Sequence, residues 1–135
     1  MARFPDRQLL LLRVQSKGIL IREAEEGRLG VNHAEIGGWL FQQWKLNKGL
    51  VAAVACHHNP ALADEHVKAA AIVHLGDIFA RALMHGTGGD DQIPTVSQVA
   101  WAALGLKIGD LPALLRESDR EFARAAVFLE FAQEE

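Results

Sequence analysis

Apolar residues recur at helical spacing along nearly the whole chain, and no run alternates with the period of two that a half-buried strand requires. From Asp6 to about Glu26 the chain is rich in Leu, Arg, Gln and Glu, which predicts a first helix ended by Gly27 and Gly30. Asn32-His33-Ala34-Glu35 then forms a capping-box pattern. His33, Ile36, Gly37, Leu40, Phe41 and Trp44 follow on one stripe of the helix it opens. Gly37 removes side-chain bulk from that stripe, so a neighbouring helix can come close. A third helix, about Lys48 to His58, is predicted to stop at Asn59-Pro60, because the residue before proline leaves the α region. Asp64 is a candidate cap for a fourth helix running to about His85. Thr95-Val96-Ser97-Gln98 predicts a short fifth helix ending near Gly105. The last, from about Ile108 to Gln133, carries Leu111, Leu114, Leu115, Phe122, Ala126 and Leu129 on or near one face. The expected class is all-α, a bundle of about six helices joined by short loops.

Composition narrows the function classes. The 135 residues suit one domain with a real core, and 50% hydrophobic against 23% charged residues is globular. A net charge of −3 offers no basic field for nucleic acid phosphates. The Leu9–Leu12 run before Arg13 is too short for a signal peptide, and no apolar stretch approaches the roughly 20 residues that span a bilayer. Cys56 is the only cysteine, which excludes an intrachain disulfide or a cysteine-rich zinc site and suits a reducing compartment. The expectation is a soluble cytoplasmic protein.

The candidate chemistry is in the histidines. His33 heads the second helix, His57 and His58 close the third, and His74, Asp77 and Arg81 share a face of the fourth at i, i+3 and i+7. Ile72, Val73, Phe79 and Leu83 predict that this fourth helix is mostly buried, so Asp77 needs a cation or donors beside it. Imidazole and carboxylate donors drawn from several helices suit zinc, iron or manganese. Taken singly, each has a plainer explanation: His33 as a capping or core group, and the His pair as favourable charge at a helix C-terminus. His66 and His85 fall near helix ends with no evident partner. His85-Gly-Thr-Gly-Gly-Asp-Asp91 lacks the Lys-Ser/Thr and the preceding strand of a phosphate-binding loop and reads as a mobile surface turn. Cys56 reads as a buried structural thiol. Trp39, Trp44 and Trp101 read as core or interface aromatics, and no Gly-x-Ser-x-Gly occurs.

Residues 29–60, LGVNHAEIGGWLFQQWKLNKGLVAAVACHHNP, resemble the HDOD family, the bacterial signalling relatives of the HD and HD-GYP metal-dependent phosphohydrolases. The matching positions are Leu29-Gly30, His33, Gly37, Trp44 and His57-His58-Asn59-Pro60, and the likeness extends over roughly residues 8 to 133, with Asp77 at the family's acidic position. The resemblance implies an HD-domain-like helical bundle. In active HD-GYP relatives the residues matching His33, His57, His58 and Asp77 bind a metal centre; the helical face that His74 and Arg81 share with Asp77 makes them candidates for supporting it here. This chain departs from those enzymes twice. It contains no His-Asp dipeptide, and its His pair leads into Asn59-Pro60 in a chain without tyrosine, where the cyclic-dinucleotide enzymes carry Asp-Gly-x-Gly-Tyr-Pro. The family domain is longer, so the chain is expected to be its C-terminal portion, with uncovered apolar surface that drives homo-oligomerisation. The resulting reading is a non-catalytic regulatory module of signal transduction that acts through contacts with signalling proteins. The alternative is a phosphohydrolase acting on a phosphoester or nucleotide with a divalent iron, manganese or zinc ion. A third, nucleotide sensing without turnover, stands behind both.

Overall fold

A computed structural model describes residues 18–86 and 88–133. Among these are six α-helices, two 3-10 segments and no strand, as the periodicity predicts. The first half of the expected N-terminal helix lies outside the described residues. The described part, α1 (Ile21–Leu29), runs through Gly27 and ends at Gly30, whose left-handed φ of 74° lets its N–H reach the Glu26 carbonyl at 3.0 Å.

The capping box of α2 (His33–Gln43) forms as read: Asn32 Oδ1 accepts from Ala34 N (2.9 Å) and Glu35 N (3.1 Å), and Glu35 Oε2 accepts from Asn32 N (3.0 Å). Asn47 caps α3 (Lys48–Ala55) by accepting from Leu50 N. The two helices meet across glycine. A Cβ added to Gly37 would lie 2.7 Å from Val54 Cγ1, and one added to Gly38 would lie 2.6 Å from Ala55 Cβ. The close approach expected of Gly37 is therefore present and is shared with Gly38. It also rotates the buried face away from the predicted stripe: Ala34 and Gly38 are buried, while Ile36 is half exposed and Trp44 is 64% exposed. The seam goes to the smallest residues because they let the backbones close.

The third helix is shorter than predicted. It stops at Ala55 with Cys56 as its C-cap, and His57 and His58 sit in the turn that follows. A 3-10 segment, Pro60–His66, kinks at Asp64 (φ 45°, ψ −120°), so Asp64 does not cap the next helix. That helix, α4 (Val67–Ala82), is the centre of the bundle, packing against α3, the 3-10 segment, α5 (Gln98–Ala103) and α6 (Leu111–Gln133). Its buried positions are Ala70, Ala71, His74, Leu75, Ile78 and Phe79; Ile72 and Val73, expected inside, are exposed. Ser97 caps α5 through its Oγ. A 3-10 turn, Ile108–Asp110, precedes α6. His85 has the partners the sequence does not reveal: its ring stacks on Phe122 at 3.7 Å, and Nε2 lies 3.0 Å from Asp119 Oδ1, which fastens α6 to the end of α4. The side chain of Leu129 lies outside the described residues.

Candidate metal centre

Three imidazoles converge where α2 begins and α3 ends. His33 reaches the site because the capping box fixes the first turn of α2, and His57 and His58 reach it because the chain leaves the α conformation after Cys56. The Gly37–Gly38 seam holds the two helices close enough for the rings to touch. His33 lies 4.7 Å from His58 and 5.6 Å from His57 between ring centroids, and His57 and His58 are 3.9 Å apart. One nitrogen from each of the three lies within 4.8 Å of the others, with His33 Nε2 and His58 Nε2 only 2.8 Å apart.

The second nitrogens fix the tautomers. His33 Nδ1 donates to Glu25 Oε2 at 2.7 Å, and His57 Nδ1 donates to the Val54 carbonyl at 2.7 Å. Both acceptors can only accept, so each ring carries its hydrogen on Nδ1 when neutral and presents a lone pair at Nε2. His58 Nε2–H donates to the lone pair of His33 Nε2. His57 and His58 are driven toward the neutral form that metal ligands need. Burial, then the fields of His57, His33, Arg22 and Arg81, pushes the His58 pKa down to about 3. Burial lowers that of His57 as well, against the raising effect of its Val54 bond. The favourable helix-end charge anticipated for this pair is therefore outweighed by desolvation.

The donor set fits a single borderline cation. A tetrahedral zinc with bonds of about 2.0–2.1 Å spaces its nitrogen ligands about 3.3 Å apart, within the range these atoms already span. Glu25 and the Val54 carbonyl are the outer acceptors that commonly orient metal-bound imidazoles. Glu25 is the site residue that sequence reading missed. It is eight positions from His33, and only the turn at Gly30 folds α1 back to bring them together.

The remaining candidates have other partners. Asp77 is near enough for its charge to act on His57, but its Oδ1 accepts from Arg81 Nε at 3.1 Å. Arg81 Nη1 also donates to Asp90 Oδ1 at 2.6 Å and to the Gln92 carbonyl at 3.2 Å. Asp90 is buried and accepts further from Ile21 N and Gln92 N, so the loop read as a plain surface turn ends in a structural carboxylate. His74 is buried and doubly bonded, donating through Nδ1 to the His57 carbonyl and accepting Ser97 N–H at Nε2. It supports the turn that carries His57 and His58. Cys56 is half-buried, and burial, then Asp64, raises its pKa. Among the described residues no helix is long and apolar enough to cross a membrane.

The family model of the HDOD domain matches residues 1–60. This span includes His33, His57 and His58 and stops short of His74, Asp77 and Arg81. The matched region is the N-terminal part of the chain, whereas the likeness was expected to run over residues 8 to 133. No curated protein and no solved structure matches the chain.

Proposed function

We propose, from the match of residues 1–60 to the family model of the HDOD domain, that the chain is a non-catalytic regulatory module of bacterial signal transduction, cytoplasmic, acting through protein contacts. In this reading the three-histidine cluster holds at most one divalent ion, by His33, His57 and His58, and the ion serves structure or sensing. The observation that carries it is the engagement of Asp77. The carboxylate that would complete a multi-metal centre is paired with Arg81, and Arg81 is tied to the buried Asp90. Freeing Asp77 would leave the guanidinium with one carboxylate fewer in a site where its side chain is only 12% exposed. A contact role is supported by the large apolar side chains outside the core, among them Trp39 at 58% and Trp44 at 64% exposure.

The alternative, a metal-dependent phosphohydrolase, draws on the same three imidazoles. A bound ion would supply Lewis acidity toward a phosphoryl oxygen or a water. The test is hydrolysis of a panel of phosphomonoesters, nucleotides and cyclic dinucleotides by protein loaded in turn with zinc, manganese and iron. The regulatory reading expects no turnover above that of a His57→Ala variant. Turnover that requires metal and disappears in His57→Ala would replace it with the enzyme.

A further inference from the structure

We propose that Glu25 is the positioning carboxylate of the three-histidine site, setting how tightly it holds a borderline cation such as zinc(II). The proposal rests on the reading above that the site takes one ion. Glu25 lies on α1, and its side chain is 16% exposed beside a His33 side chain that is 41% exposed. One oxygen, Oε2, accepts two hydrogen bonds from the same residue: His33 N–H at 3.0 Å and His33 Nδ1–H at 2.7 Å. The first bond anchors the backbone at the start of α2. The second holds the ring plane and keeps the proton on Nδ1, so that Nε2 faces His57 and His58. Of the three ligands, His33 is the most exposed and comes from a different helix, so it has the most orientational freedom to lose. A carboxylate on the far nitrogen also makes the imidazole a stronger donor toward a cation. His57 has only a neutral carbonyl in the equivalent place. The charge that tunes the site is therefore concentrated on His33.

Glu26 provides an internal control. It carries the same charge one residue along, but its Oε1 accepts from Asn32 Nδ2 at 2.6 Å and bonds to no histidine. The experiment is a competition titration of the full chain with zinc(II) against a chromophoric chelator, comparing wild type, Glu25→Gln and Glu26→Gln, each checked for native melting. Glutamine at 25 retains an oxygen for the backbone N–H and loses only the charge. We expect Glu25→Gln to weaken zinc binding about 10- to 100-fold and Glu26→Gln to leave it within about threefold. Equal affinity of Glu25→Gln and wild type would overturn the role of Glu25 alone, as would equal losses in both variants. Failure of wild type to bind zinc would overturn the one-ion reading and this proposal with it. If Glu25→Gln does not fold, nitrogen-15 histidine spectra of the zinc-loaded wild type decide. A slowly exchanging His33 Nδ1–H with the metal on Nε2 supports the proposal, and coordination through Nδ1 overturns it.

Discussion

Replacing Gly38 by alanine should destabilise the protein, although the same replacement in an open helix stabilises one. Alanine is preferred to glycine inside a helix by about 1 kcal/mol. At Gly38 the new Cβ would lie 2.6 Å from Ala55 Cβ and 3.3 Å from Ala55 Cα. Carbon atoms rest at about 3.5–4.0 Å, so a gap of roughly 1 Å must open. Ala55 has no rotamer with which to yield, and the relief must come from the α3 backbone. Overpacking of this kind costs about 1–3 kcal/mol, which leaves a net loss of up to about 2 kcal/mol after the helical gain. Gly76 in α4 is the matched control: a Cβ there meets nothing within 4 Å, so Gly76→Ala should gain up to about 1 kcal/mol. Urea unfolding followed by far-ultraviolet circular dichroism measures both. Retreat of α3 at Ala55 also moves His57 and His58 away from His33, so Gly38→Ala should bind zinc more weakly while Gly76→Ala does not. Equal stability of the two variants would refute the glycine seam as the contact that assembles the site.

Three further outcomes are expected. Because the His58 pKa is pushed down to about 3 and that of His57 is lowered, the unfolded chain takes up protons that the ion-free folded chain refuses. Stability is then full above the ordinary value near 6.5 and falls as pH drops toward 3, and His58→Gln should make the urea midpoint fall less steeply over that window; an identical slope would contradict this. Asp90→Ala leaves Arg81 with Asp77 as its one carboxylate and removes the acceptor of Ile21 N and Gln92 N, and should cost about 1–3 kcal/mol in chemical denaturation, whereas a loss below about 1 kcal/mol would place that pair outside the stabilising core. His74→Leu leaves the His57 carbonyl and Ser97 N–H without their partner and should cost about 1–3 kcal/mol, with faster amide exchange at Ser97 as its local signature.

Local signals carried most of the fold. The capping box at Asn32, the left-handed Gly30 and the helical spacing each act within a few residues, so α2 and the all-α class were legible from the chain itself. Errors arose where tertiary packing decides. The spacing of Ile36, Leu40 and Trp44 suggested a buried stripe, yet the seam went to Ala34, Gly37 and Gly38, because close backbone approach selects small residues over large ones. Asp64 looked like a cap and proved to be a kink. At the site, the adjacency of His57 and His58 and their spacing from His33 marked the three imidazoles that converge. Asp77 fell on the expected face, but its partner Arg81 lies one turn away on the same helix and holds it there. Glu25 and Asp90 act on residues brought to them by turns at Gly30 and in the 88–92 loop, and no sequence periodicity encodes such meetings.

The most direct measurement of the central claim is the number of metal ions the chain retains after saturation with zinc and removal of excess, by elemental analysis of wild type beside His57→Ala. A single-ion, three-imidazole site should retain one ion per chain in wild type and none in His57→Ala. Two or more ions per wild-type chain, or an ion kept by His57→Ala, would contradict it.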